Sequence, residues 1–412
     1  MKQCQNKRVY YLKNKLWFKS YECTKLAEKY GTPLFLYDGE EFIDNAKYLY
    51  NGLNKYADRE VKISFMIKAN PSSGLLRLWN ESGYQFVSAA FLKEVKLALN
   101  SGIDANKIMY ISGFEDDEKT FIELKKMGVV ITINTLNQLK KINNLGIKEI
   151  ALRLNLFCPK LNPSKSKNRG GDQKSEISWG EVIKIFKYAE ENGITIKGIM
   201  QHLGSQIIEK DQIPQYFLGV EKLLKIVKKF ENKGMNFSYI CFGGGFSVQY
   251  QIDDLPFPLN DYAKYIFNIT RLLKIKTPML IFEPGRYLTA NIGILLLKIK
   301  NIENIKGIAP IGLDAPTKMI RRGLFHPRYK NLLGFLPCYK RENNIVVTIS
   351  EEVLGKKSNF GLQETTKLET NDILAFLNMG AYNICSEYLS NCPYAKELLI
   401  YNKEINPLKN SK

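Results

Sequence analysis

The run Ile63-Ser64-Phe65-Met66-Ile67-Lys68-Ala69-Asn70 ends a short apolar segment in a lysine, the side chain here best suited to attack a carbonyl. Burial at a strand end disfavours an ammonium and lowers its pKa, which makes the amine a nucleophile. A solvated strand-end lysine is the plainer alternative. Three later segments carry complementary groups. Gln201-His202-Leu203-Gly204-Ser205 offers an imidazole able to stack on a flat ring, a glycine that admits close backbone approach, and a hydroxyl for a phosphate oxygen. In Cys241-Phe242-Gly243-Gly244-Gly245-Phe246, consecutive N–H groups suit a phosphate. This is not the dinucleotide GxGxxG pattern, and a tight turn uses the same residues. Phe282-Glu283-Pro284-Gly285-Arg286 supplies a carboxylate that can pair with a protonated pyridine nitrogen, and a guanidinium fork for phosphate or carboxylate. A Glu283–Arg286 salt bridge capping the strand is the alternative there. Amine, imidazole, glycine turn and acid together describe a site for pyridoxal 5'-phosphate.

Such groups need elements that bring them to one place. From about residue 33 to 290, short apolar runs alternate with amphipathic segments. Strands are predicted at Pro33–Tyr37, Val61–Ile67, Gln85–Ser88, Ile108–Ser112, Val129–Ile133, Ile150–Leu154, Ile196–Gln201, Phe237–Phe242 and Met279–Phe282. Helices are predicted at Glu41–Tyr56, Gly74–Ser82, Leu92–Leu99 and Val220–Lys229. This alternation argues an α/β fold with a parallel sheet, and its size fits a (β/α)8 barrel, whose strand ends carry the chemistry. After residue 290, Ile294–Ile299, Ile345–Ile349 and Asp372–Leu377 read as strands without long helices between them. The expected division is therefore a barrel over 33–290 and a mostly antiparallel β domain from 1–32 and 291–412. Val9–Leu12 and Leu16–Phe18 would add strands to the latter.

Composition narrows the function classes. The 412 residues suffice for two cores, and no apolar run approaches the ~18 residues that span a bilayer. Seven scattered cysteines without a CxxC pair fit reduced thiols in the cytoplasm rather than a disulfide framework or zinc site. With only His202 and His326, a multi-histidine metal centre is unavailable. The net charge of +19 would suit an acidic partner or nucleic acid, but lysine is used throughout rather than in one block. No membrane or nucleic-acid partner is therefore expected.

With Lys68-Ala69-Asn70, the run from His202 to Gln206, Gly243-Gly244-Gly245-Phe246 and Glu283-Pro284-Gly285-Arg286, the chain resembles fold-type III pyridoxal-phosphate decarboxylases. The diaminopimelate decarboxylase branch is the most similar, over about Gly31 to Leu399. The likeness includes Ile320-Arg321 and Leu324, and ends at Gly380-Ala381-Tyr382. It implies an alanine-racemase-like barrel plus a β domain, and a homodimer with shared active sites. It also implies that Lys68 holds the cofactor as a Schiff base and that His202 stacks on the ring. Ser205, Gly245, Gly285, Arg286 and Tyr382 would hold the phosphate, Gly243, Gly244 and Pro284 would also belong to the cofactor site, and Glu283 would face the pyridine nitrogen. Arg286, Arg321 and Tyr382 would bind the amino-acid substrate. The implied reaction is loss of an α-carboxylate as CO2, for meso-diaminopimelate giving L-lysine.

Three segments depart from that pattern. The family's Cys-Glu-Ser-Gly-Asp-like segment, whose cysteine is an acid, is replaced by Thr348 to Ser358 without a cysteine. Ser350 and Glu351 become the candidate catalytic groups, a glutamic acid of raised pKa being the better proton donor; Glu351-Glu352, or a segment rebuilt around Ser358, is also compatible. Phe325 stands at a usual tyrosine, and Tyr84-Gln85-Phe86 at a usual Phe-Asp-Val. Besides the diaminopimelate reaction, these walls fit another amino acid or an aminoacyl group on an acidic carrier protein. A non-catalytic regulatory homologue is the reading of another class.

Overall fold

The computed structural model describes residues 8–113, 116–156, 177–208, 210–251, 254–304, 307–316, 319–320, 334–353, 356–382 and 395–408, except the side chains of 350–353 and 356–361. Its centre is a closed barrel of eight parallel strands. The first is Glu60–Ile63 continued by Phe65–Met66; the others are Val87–Ala89, Ile108–Ile111, Val130–Ile133, Glu149–Arg153, Thr195–Met200, Tyr239–Cys241 and Met279–Phe282. Closure depends on the broken first strand. Its first half pairs with the eighth strand and its second half with the second. Around the break at Ser64, N–H groups point alternately to the two neighbours. Ser64 donates to Phe282 O at 2.7 Å, Phe65 to Phe86 O at 3.0 Å, and Met66 to Pro284 O at 3.2 Å.

Both faces of these strands are apolar because both are covered. Inward-pointing Met66, Met109, Ile111, Ala151, Met200, Tyr239, Cys241 and Ile281 fill the barrel. Their outward neighbours, among them Phe65, Val87, Ile131, Leu152, Ile199, Ile240 and Phe282, join a large core with the surrounding helices. Burying one such side chain contributes ~1.5–3 kcal/mol, so Leu152→Ala would cost about 2–5 kcal/mol once the cavity is counted. Helices between the strands begin at side-chain caps: Asp117, Thr135 and Ser178 each accept an N–H of the first turn.

The strand predicted at 33–37 forms at Leu34–Asp38 but not in the barrel. It pairs antiparallel with Gly293–Ile302 and parallel with Lys396–Tyr401 in the second, mostly antiparallel sheet. Its alternation serves two cores: Leu34 and Leu36 pack with Leu296 and Leu398, while Phe35 and Tyr37 face the barrel's core. Strand pairing therefore does not follow the boundary drawn at residue 33. The opening strands also differ from expectation. Val9–Leu12, Lys15–Phe18 and Tyr21–Glu22 form a small antiparallel sheet of their own, docked through Leu16 N–H to Cys338 O at 2.9 Å. Among the described residues no helix is long and apolar enough to cross a membrane.

Candidate active site

The four motifs converge at the carboxyl ends of strands one, six, seven and eight. Lys68 does not close its strand. It sits half-buried in a single 3-10 turn, Ile67–Ala69, directly after Met66. The chain leaves the barrel there because its next hydrogen-bond partners lie on the second sheet's 378–382 loop. Ala69 O accepts the Tyr382 N–H at 2.7 Å, and Asn70 Nδ2 donates to Gly380 O at 2.9 Å. That contact needs glycine at 380, where a Cβ would stand 1.9 Å from Thr289 O.

The sixth and seventh strand ends are stitched together. The Gly244 N–H donates to His202 Nδ1 at 3.2 Å, leaving the neutral ring's proton on Nε2. The exposed imidazole is thus oriented by backbone while its flanking residues Gln201 and Leu203 are buried. Ile207 N–H donates to Gly245 O at 3.1 Å, and the Gln206 side chain brackets Val248 through both its N–H (3.1 Å) and its C=O (2.5 Å). Ser205 lies half-buried in the loop between.

The glycine triplet works differently from its expected row of free N–H groups. A Cβ at Gly243 would meet Gln201 O at 2.3 Å, and one at Gly244 would meet Glu283 O at 2.5 Å. Those two glycines are required for strand ends to approach. Gly243 N–H is directed at the Cys241 sulfur and Gly244 N–H at His202. Gly245, at φ +112°, keeps an N–H without an acceptor among the described residues.

Glu283 is 3% exposed. Burial pushes its carboxyl upward, opposed by a hydrogen bond from Ser88, by the charges of Arg153 and Lys68, and by the Cys241 thiol. Ser88 Oγ donates to Glu283 Oε1 at 2.5 Å and lies 2.8 Å from Ser64 Oγ. No Glu283–Arg286 ion pair forms among the described residues. Instead the buried guanidinium of Arg286 donates to Tyr250 Oη at 2.8 Å and sits 4.8 Å from the Tyr382 ring centroid. Pro284 contributes the carbonyl that receives Met66 N–H. At Gly285 a Cβ would crowd Ala69 and the Tyr382 hydroxyl, at 3.0 and 3.2 Å.

A second acid lies within electrostatic reach of Lys68. Buried Glu94 accepts the Ala90 and Phe91 N–H groups at 2.7 and 3.3 Å, and its carboxyl is raised to about 7, chiefly by burial. Sequence reasoning missed Ser64, Ser88, Glu94, Arg153, Cys241 and Tyr250. For Ser88, Arg153 and Cys241 the one available signal was position, a polar residue within or ending an apolar strand; Glu94 lies in a helix and Tyr250 in a loop, where no motif marks them. Gln85, which stands at the family's usual aspartate, precedes the second strand and bonds Lys107 at the barrel's opposite end. The residue of that strand which reaches the site is Ser88.

The remaining expectations fall on undescribed parts. Arg321, Leu324 and Phe325 lie outside the described residues, as do the side chains of Ser350 and Glu351. The backbone of Asn344–Val353 is a strand paired with Lys356–Thr366, placing Glu351 opposite Ser358.

Amine, oriented imidazole, buried acid and buried guanidinium at one barrel mouth fit a phosphorylated pyridine aldehyde: each of its polar ends has a complementary group. These features define a barrel-type pyridoxal-phosphate enzyme. Residues 47–290, more than half of the chain, match the family described as pyridoxal-dependent decarboxylase, pyridoxal binding domain. The chain belongs to this family, and pyridoxal 5'-phosphate is its cofactor.

Relatives extend the likeness along the chain. Diaminopimelate decarboxylase of Methanothermobacter thermautotrophicus is 26% identical, covering 94% of this chain and 91% of that protein. The enzyme of the same name from Aquifex aeolicus is 26% identical over 98% and 95%. Among solved structures, diaminopimelate decarboxylase from M. jannaschii in complex with L-lysine superposes with a TM-score of 0.83 at 24% identity, over 98% and 94%. Lysine/ornithine decarboxylase of Vibrio vulnificus with putrescine gives 0.73 at 20%, over 92% and 97%. These two show the shared fold.

Proposed function

We propose that this enzyme decarboxylates an amino acid in the manner of diaminopimelate decarboxylase, with meso-diaminopimelate as the substrate and L-lysine as the product. The observation that carries the reading is the meeting of Lys68, His202, Gly245, Glu283, Arg286 and Tyr382 at one barrel mouth. Full-length likeness to diaminopimelate decarboxylases supports the substrate.

Pyridoxal phosphate, when bound, supplies a ring that accepts the electrons left as a carboxylate departs. The residues around it divide the work. Lys68 would hold the cofactor through its amine. His202, fixed at Nδ1, offers its flat face to the ring. Glu283 holds a proton on the pyridine nitrogen, and the incoming positive charge favours the ionised carboxyl that burial alone disfavours. Ser205, the open Gly245 N–H, Gly285, Arg286 and the Tyr382 hydroxyl bind the phosphate, with Gly243, Gly244 and Pro284 holding the strand ends in register. Arg286, Arg321 and Tyr382 bind the distal acidic group. Glu351, or Ser350 beside it, returns the proton.

A homodimer that shares its active sites and a cytoplasmic location belong to the same proposal; the dimer rests on family likeness, the location on scattered cysteines that form no CxxC pair in the sequence. The test is CO2 release across diaminopimelate, lysine, ornithine, arginine, glutamate and a carrier-bound aminoacyl thioester. Turnover of diaminopimelate alone is expected. Release only from the thioester would move the assignment to an acidic carrier protein, and no release from any of them would favour the regulatory homologue.

A further inference from the structure

Three strands meet at the acid of this site through hydroxyls that the reaction does not consume. Ser88, on the second strand, is fully buried and donates to Glu283 Oε1 at 2.5 Å. Ser64, at the break in the first strand, is equally buried and lies 2.8 Å from Ser88 Oγ. Placing two hydroxyls where neither meets water is unfavourable unless each has a partner. We propose that Ser88, backed by Ser64, is the positioning residue for Glu283: it fixes the plane of the carboxyl and favours its ionised form. The inference rests on the reading of Glu283 as the partner of the cofactor's ring nitrogen.

The direction of the chain follows from the acid's charge. A carboxylate only accepts, so the Ser88 proton is committed to Glu283, and the Ser88 lone pair is left to receive the Ser64 proton. Should Glu283 take up a proton, that polarity is no longer enforced. The other groups facing Glu283 are Arg153 on the fifth strand, Lys68 on the turn after the first, and Cys241 and Tyr239 on the seventh. Arg153 and Lys68 favour the anion through their charge, whereas the 2.5 Å bond from Ser88 also orients the carboxyl. The Cys241 thiol is a weak donor beside a hydroxyl. Removing Ser88 therefore leaves the anion with less support in a site where burial already works against it.

The experiment needs no cofactor for its first reading. In the cofactor-free protein, the infrared carbonyl stretch of the buried acid, assigned by its loss in Glu283→Gln, is followed against pH. Ser88→Ala is expected to move its titration upward by about one pH unit, the value of one charge-assisted hydrogen bond. Ser64→Ala should move it in the same direction by less, and Ser88→Thr should restore most of it. In the loaded enzyme, the pH dependence of the visible absorbance should shift likewise, with kcat lowered more than KM is changed. An unmoved titration in a normally folded Ser88→Ala would overturn the inference. If that variant does not fold, an unmoved Ser64→Ala titration overturns it instead. Absence of visible absorbance in the wild type sinks the cofactor reading, while the infrared result still decides whether Ser88 controls Glu283.

Discussion

Two buried acids lie within electrostatic reach of Lys68, one on the helix after the second strand and one at the end of the eighth, and they are held in opposite ways. Glu94 is the third residue of the helix Leu92–Asn100 and accepts two backbone N–H groups, from Ala90 and Phe91. Glu283 ends the eighth strand and accepts side-chain donors, Ser88 and Cys241. Burial raises both. The difference lies in what each can do without moving the backbone. If Glu94 turned away, two N–H groups of a helix start would lose their partners. Glu283 can change its proton or its partner while every main-chain bond around it stays in place. A carboxylate bonded to backbone behaves as part of the scaffold, and one bonded to hydroxyls is free to serve a ligand.

The strongest way to break the comparison is to remove the cation both acids face. Lys68→Ala should abolish the borohydride-reducible adduct and lower turnover by at least ~10³-fold, as loss of a covalent anchor does. An adduct that persists would show that another lysine holds the cofactor. Next, Glu283→Gln should lower kcat by ~10²-fold while leaving the thermal midpoint close to wild type. A large loss of stability with intact kcat would reverse the roles given to the two acids.

Glu94→Gln tests the scaffold side. A carboxyl at about 7 folded and 4.5 unfolded binds more protons in the folded state between those values. Its contribution is therefore most favourable below pH 4.5, declines as pH rises through that window, and is least favourable above 7. At about 1.4 kcal/mol per pH unit, Glu94→Gln should relieve up to ~3 kcal/mol of that decline. Denaturant midpoints of the cofactor-free protein at pH 4.5, 6 and 8 would reveal it, and parallel wild-type and variant curves would refute it. The smallest effect is expected from Cys241→Ala, within ~3-fold in kcat, because a thiol donates weakly. A drop as large as that of Ser88→Ala would give the thiol an equal share in holding Glu283.

Much of this arrangement was legible in the chain, for reasons that also explain the gaps. Met279–Phe282 and its parallel neighbours announce themselves because both faces of a barrel strand are apolar. Leu34–Asp38 reads equally well as a strand, but an apolar run does not name its partner, and this one joins the second sheet. Lys68, His202, Glu283 and Arg286 stand out as polar residues ending apolar runs beside glycines. Ser64 and Ser88 do not, since a small hydroxyl inside an apolar run matches no motif until neighbouring strands supply its bonds. The triplet Gly243–Gly245 was visible as a ligand loop, yet the approach of Gln201 and Glu283 that requires two of its glycines is a property of three strands together.

The second sheet has a bearing on how the chain is made. Leu34–Asp38 precedes both of its neighbours in the chain, one beginning at Gly293 and the other at Lys396. Until those segments arrive, this strand has no sheet to enter, and both of its edges are open templates for foreign pairing. The barrel can condense in the interval, since its eight strands fall between residues 60 and 282. The Lys68 turn would still lack the bonds from Gly380 and Tyr382. Assembly of the nascent chain thus leaves the active site unfinished until the 378–382 loop and the Lys396–Tyr401 strand have been made.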